Sequence, residues 1–143
     1  MEDVPVEPSL LYAVKQVELA VRANLDEVLR PHGLTTSTYT ALTVLERREG
    51  MTTADLARNS FVTPQAMADI ITALESRGLI SRRPDPDHGR RRLIDLTAPG
   101  RAALAEVAPA VAALEERMVA GLDGPARRSL RDSLNSCRAA LRG

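Results

Sequence analysis

The sequence predicts a mainly α-helical fold with one short β-hairpin, set between long helices at either end. Three observations carry that prediction. Apolar residues recur every three or four positions along most of the chain; one central segment breaks this into two short runs separated by turn formers; and a serine, threonine or aspartate stands before nearly every periodic stretch. At 143 residues, 44% of them hydrophobic, the chain can bury ~70% of its surface as one domain. That argues against a two-domain enzyme and against a disordered tail.

Ser9 caps a helix whose apolar positions are Leu10, Val14, Val17, Val21, Leu25 and Val28, ended by Pro31 and Gly33. A second helix starts in Thr35-Thr36-Ser37 and carries Leu42 and Leu45 before Gly50. Thr52 or Thr53 caps a short third helix that ends near Asn59-Ser60. After a turn of about four residues, Thr63 caps a fourth helix with Pro64 at its first position, where the missing N–H is no loss. Its core stripe is Met67, Ile70, Ile71 and Leu74, and Gly78 ends it.

Residues 79–83 and 92–96 then read as two short strands, with Pro84-Asp85-Pro86-Asp87-His88-Gly89 as the turn. Thr97-Ala98-Pro99 opens another helix, in which Leu104, Val107, Val111, Leu114 and Met118 form a seam for a neighbouring helix. Pro109 lies within that pattern and is expected to kink the helix or locally break its hydrogen bonds. Asp123-Gly124-Pro125 starts a last helix with Leu130, Leu134, Cys137 and Leu141 on one face.

Two short helices joined by a tight turn, the second followed by a charged hairpin, make a winged helix-turn-helix lobe. The core stripe of the second helix leaves Gln65, Ala68, Asp69 and Thr72 on its outer face, with Thr63 and Pro64 at its N-terminal end. Small residues there allow close approach to a major groove. Gln65 has the donor and acceptor pattern that suits adenine, and Thr63 and Thr72 suit phosphate or a thymine methyl. The hairpin supplies Arg82, Arg83, His88, Arg90, Arg91 and Arg92 for the flanking minor groove or backbone.

The overall charge conceals this. Nineteen acidic and 19 basic residues cancel, yet residues 1–30 hold six acids (Glu2, Asp3, Glu7, Glu18, Asp26, Glu27) against three bases, whereas residues 77–92 hold six arginines against two acids. Plainer readings exist for several of these groups. Thr63 could serve only as a helix cap, and Arg82 and Arg83 could pair with Asp85 and Asp87. Asp69 would repel phosphate unless it accepts from a cytosine amino group or pairs with a wing arginine such as Arg90; the pairing is the favoured reading.

The stretch from Phe61 to Gly100 resembles the recognition helix and wing of the multiple-antibiotic-resistance regulator (MarR) family. Its most specific pieces are Leu74-Glu75-Ser76-Arg77-Gly78-Leu79-Ile80 and Leu96-Thr97-Ala98-Pro99-Gly100. The flanking helices extend the likeness over the full length. The resemblance implies a cytoplasmic homodimer, with residues 1–34 and 98–143 as interlocking dimerisation helices around a DNA-binding region at 35–97, all in one intertwined domain. It further implies a transcriptional repressor on a pseudo-palindromic double-stranded operator, often released by a small-molecule effector bound between the dimer helices and the DNA lobe. Tyr12, His32, Tyr39 and Arg47 are the polar side chains expected to line such a pocket, although both tyrosines also suit the core.

This sequence departs from the family pattern in two places. Asp-x-Arg near the wing tip is here His88-Gly89-Arg90, so only the arginine carries over. The acid often found six positions before the glycine that closes the recognition helix is here Thr72, with Asp69 nearby, so an internal helix-to-wing salt bridge should be rearranged.

Other chemistries have little material. Cys137 stands alone in a leucine stripe, which excludes a disulfide framework and disfavours thiol-based sensing. Only His32 and His88 are histidines, and no glycine-rich phosphate loop is present, so neither a cofactor, a metal nor an enzymatic centre is expected. No run approaches the ~18 apolar residues of a membrane span, and Met1-Glu2-Asp3 does not open a signal peptide, which predicts a soluble intracellular protein with no membrane partner. Dimerisation has a separate basis, since residues 9–30 and 98–142 carry more apolar seam than one small lobe can cover. The alternatives are a winged-helix protein-interaction module without DNA binding, which should display large apolar groups rather than arginines, and, weaker still, a small helical enzyme.

Overall fold

A computed structural model describes residues 6–142, so Glu2 and Asp3 of the acidic N-terminal segment lie outside the described residues. Helix α1 (Leu10–Leu29) starts where Ser9 Oγ accepts the Tyr12 N–H at 3.2 Å and ends in a single 3-10 turn, Arg30–His32. Helix α2 (Thr36–Arg47) opens with a reciprocal capping box between Thr35 and Thr38. Thr52 caps α3 (Thr53–Asn59), and Thr63 caps α4 (Pro64–Ser76). Strands β1 (Ile80–Asp85) and β2 (His88–Leu96) form an antiparallel hairpin, followed by α5 (Ala98–Met118) and α6 (Gly124–Leu141), the last capped by Asp123.

Contacts divide the chain at Pro109 into two compact units. In the first, Leu42 and Leu45 of α2, Leu56 of α3, and Met67, Ile71 and Leu74 of α4 bury one face each around Leu29, Met51, Ile80 and Ile94. Met51 exchanges backbone hydrogen bonds with Ile94, so the segment before α3 closes onto the hairpin. Leu104 and Val107 bury the first half of α5. In the second unit Val119 is buried, and Arg127 reaches Glu116 at 2.9 Å and the Leu122 carbonyl at 3.0 Å.

Two expectations, the strand limits and the burial of Ile70, need correction. The strands are longer than the apolar runs suggest, because the ladder continues through Pro84 to Asp85 and takes in His88–Arg91, with an irregularity between Pro84 and Asp85. A proline is tolerated because each strand of a two-stranded sheet has an edge with no ladder partner. Helix α5 runs through Pro109, whose missing N–H leaves one carbonyl of the preceding turn without its helical bond, on an exposed side where water can satisfy it. Ile70 is only half-buried beside the buried Met67, Ile71 and Leu74. The apolar stripe of α1 is left largely uncovered, in keeping with a seam larger than one lobe can cover: Leu10 is 85% and Val17 53% exposed, and of the whole helix only Leu29 is buried.

Candidate nucleic-acid interface

The outer face of α4 is built by its cap and its core stripe. Thr63 Oγ accepts the Ala66 N–H at 3.1 Å, which fixes the first turn, and burial of Met67, Ile71 and Leu74 turns the opposite side outward. Thr63, Pro64, Gln65, Ala68, Asp69 and Thr72 are all exposed, at the spacing of one helical face. Thr72 donates its hydroxyl to the Ala68 carbonyl at 3.0 Å, so its methyl and an oxygen lone pair remain for contact. Asp69 has no partner among the described residues, and the favoured Asp69–Arg90 pair does not form.

The α3–α4 turn that precedes this helix contains Phe61, which adopts φ 61° and is 87% exposed. A left-handed backbone at an aromatic residue costs of order 1 kcal/mol and is uncommon outside functional turns. The chain's only phenylalanine is thus held outward, two residues before the helix cap.

The wing arginines divide into paired and unpaired groups. Arg82 Nε donates to Glu75 Oε2 of α4 at 3.0 Å, and Arg83 Nε to Asp95 Oδ2 of β2 at 2.6 Å. Pairing of these two with Asp85 and Asp87 therefore does not occur. Successive residues of β1 face opposite sides, so Arg82 meets α4, while Arg83 lies diagonal to Asp95 across the Ser81↔Asp95 register. Asp85 is turned into its own bend, accepting the Asp87 N–H at 2.9 Å, with Arg91 Nε at a loose 3.9 Å. His88, Arg90 and Arg92 are exposed and have no partner among the described residues. A helix-to-wing salt bridge is present between Glu75 of α4 and Arg82 of β1, and Asp69 takes no part in it.

The sequence pieces that carried the resemblance hold this reader in place. Arg77 Nη1 donates to the Gly33 carbonyl at 2.7 Å and Nη2 reaches that of His32 at 3.4 Å, tying the end of α4 to the end of α1. Thr97 donates its hydroxyl to the Gly78 carbonyl at 2.6 Å while its Oγ accepts the Gly100 N–H. Gly100 packs so closely that a Cβ there would stand 2.2 Å from the Leu79 carbonyl oxygen. At the other end of the lobe, Asp26 accepts both the N–H and the hydroxyl of Thr36 at 2.7 Å. Those two bonds, with help from Arg30 and Arg22, hold its carboxyl below the usual carboxylate range despite partial burial.

The four polar side chains expected around an effector lie on several elements, and none of them lines the two cavities described below. Tyr12 is exposed on α1, Arg47 is exposed in the last turn of α2, Tyr39 is half-buried, and His32 Nδ1 lies 3.3 Å from Glu106 Oε1 of α5. A cavity of about 620 Å³ opens elsewhere, between Glu18, Val21, Arg22 and Asp26 of α1, residues 35–37 and Thr40 at the start of α2, and Ser60, Phe61 and Val62 of the α3–α4 turn. Sequence reasoning missed it; the one available signal was a lone phenylalanine in a turn. A smaller space of about 320 Å³ lies between the end of α5 and α6, against Met118, Leu130 and Leu134. Among the described residues no group of His, Cys, Asp and Glu could hold a metal ion, and no helix is long and apolar enough to cross a membrane.

Residues 32–91, from the end of α1 to the wing tip, match the family model described as MarR family. The repressor Rv2887 of Mycobacterium tuberculosis is 33% identical over 123 residues, covering 86% of this chain and 88% of that protein. The chain belongs to the MarR family. A MarR-family regulator from Silicibacter pomeroyi has a solved structure that matches with a TM-score of 0.82 at 26% identity, covering 92% of this chain and 88% of that one. Solved structures of Rv2887 match with a TM-score of 0.75 both in complex with DNA, at 30% identity, and in complex with salicylic acid, at 32%. They cover 92% of this chain and 98% and 97% of theirs, so the MarR likeness spans the terminal helices as well as the winged lobe.

Proposed function

We propose that this MarR-family chain is a homodimeric, sequence-specific DNA-binding transcription regulator, a repressor released by a small-molecule effector. One observation carries the DNA reading: an exposed face of Gln65, Ala68, Asp69 and Thr72 on α4 stands beside a wing whose Arg90 and Arg92 have no internal partner. Small side chains admit the helix to a major groove, Gln65 reads a base edge, Thr63 and Pro64 bring the helix N-terminus to phosphate, and the wing cations add affinity from outside. Arg82, Arg83, His88 and Arg91 border that contact. The complex of Rv2887 with DNA supports this assignment.

The uncovered apolar residues of α1, and those of α6 such as Leu134 at 52% exposure, support a two-fold dimer built from residues 1–34 and 98–143, with 35–97 as the DNA-binding region. Such a dimer sets its recognition helices about 34 Å apart, on half-sites ~10 base pairs between centres. The salicylic acid complex of Rv2887 supports effector release. We place the protein in the cytoplasm and assign it no enzymatic activity. A gel shift with the protein's own upstream DNA tests the proposal. Retardation of a palindromic fragment that weakens as salt rises is expected, and no retardation of any such fragment overturns it.

A further inference from the structure

Helix α4 carries two acids, Asp69 and Glu75, and the fold treats them differently. Glu75 accepts from Arg82 of the wing at 3.0 Å. Asp69 is exposed and has no partner among the described residues. Thr72, three residues on, spends its hydroxyl on the Ala68 carbonyl, and Arg90 of the wing does not pair with Asp69. Asp69 therefore neither caps, pairs nor packs within the lobe.

Its position on the helix is central. Burial of Met67, Ile71 and Leu74 turns Gln65, Asp69 and Thr72 to the opposite side. Ala66, Ala68 and Ala73 are exposed around it, so no bulky neighbour keeps a short carboxylate away from a groove floor. In a major groove a carboxylate is repelled by phosphates, and it gains only where a base edge offers a donor. Adenine and cytosine each present an amino group there. Adenine N6 stands between its own N7 and thymine O4, two acceptors that a carboxylate avoids. Cytosine N4 has an acceptor on one side only, O6 of the paired guanine.

We infer that Asp69 is a specificity-determining residue that accepts from a cytosine N4 amino group, so that each half-site carries a C·G pair close to the pair met by Gln65. Four residues of α-helix advance about 6 Å and one base-pair step about 3.4 Å, which sets the cytosine within about two base pairs of the Gln65 contact. The same carboxylate rejects other sequences. Where no amino group meets it, its charge opposes the attraction that the unpaired Arg90 and Arg92 exert on DNA. The inference rests on the DNA-binding reading above and assigns one base of its recognition code.

Selection from a randomised duplex pool by the full-length protein, followed by titration of single-pair variants of the selected site, tests it. Wild type should select C·G within about two pairs of the position whose preference Gln65→Ala abolishes, and should bind about tenfold more weakly when that pair becomes T·A. Asp69→Ala should lose this discrimination and bind random duplex about threefold more tightly, because one repelling charge is gone. The isosteric Asp69→Asn should move the preference to A·T, since a carboxamide accepts from adenine N6 and donates to N7. Neither substitution removes a bond within the fold. A selected site without C·G preference, a C·G preference that Asp69→Ala retains, or an equal gain by that variant on every duplex overturns the inference. Wild-type protein that binds no duplex refutes the regulator and the inference with it, whereas wild-type protein that binds a selected site without C·G preference refutes only the role of Asp69.

Discussion

The Asp26 carboxylate, near the end of α1, holds the backbone N–H and the hydroxyl of Thr36 at 2.7 Å each. One side chain thereby joins a helix proposed for dimerisation to the first turn of the DNA-binding lobe. Because these bonds favour the charged form, the folded carboxyl sits below its unfolded value of about 4. Its stabilisation is therefore complete above the unfolded value and disappears as pH falls through the lowered one. Asp26→Asn should cost about 1 kcal/mol at pH 7 in urea unfolding, and the gap from wild type should close steadily below about pH 4. A gap that stays constant into acid would contradict the assignment.

Gly100→Ala should lower stability by about 2 kcal/mol, measured as a fall in Tm, because the added methyl meets the Leu79 carbonyl oxygen at 2.2 Å and backbone cannot easily yield. An unchanged Tm would mean that α5 shifts freely against the start of β1.

Wing substitutions should separate by their internal partners. Arg90→Ala should weaken all DNA sequences alike and reduce the salt slope by about one. Arg83→Ala should change the slope less, since that guanidinium is already neutralised by Asp95 at 2.6 Å. Equal slopes for the two variants, from titrations at several salt concentrations, would show that internal pairing does not matter.

On the helix, Gln65→Ala should cost about 1–3 kcal/mol on the preferred site and little on random DNA. Thr63→Ala should cost about 1 kcal/mol of stability, because it removes the bond to the Ala66 N–H. Binding competition and thermal melts on the same two proteins distinguish base reading from helix capping.

Features set by near neighbours were legible in the sequence. Ser9, Thr35, Thr63 and Asp123 each cap the helix they precede, and a cap needs only a residue two or three positions away. Features set by pairing across the fold were not. The extent of the hairpin depends on a register irregularity at Pro84, and the partner of Arg82 depends on which side of β1 faces α4. The face of Gln65, Ala68, Asp69 and Thr72 was legible because its complement is a buried stripe of fixed period. The cavity was not, since its wall is drawn from α1, the start of α2 and the α3–α4 turn, which only the fold brings together. Tyr12, His32, Tyr39 and Arg47 were chosen for their chemistry alone, which carries no information about the distances between them.

The uncovered stripe of α1 bears on the cell as well as on the molecule. A protomer with Leu10 and Val17 in water is not a comfortable resting state, and in the proposed dimer completing the fold and finding a second copy become one reaction governed by mass action. The amount of DNA-competent protein then rises as the square of subunit concentration while the dimer is scarce. Modest changes in synthesis or degradation are sharpened into a threshold before any ligand or operator takes part.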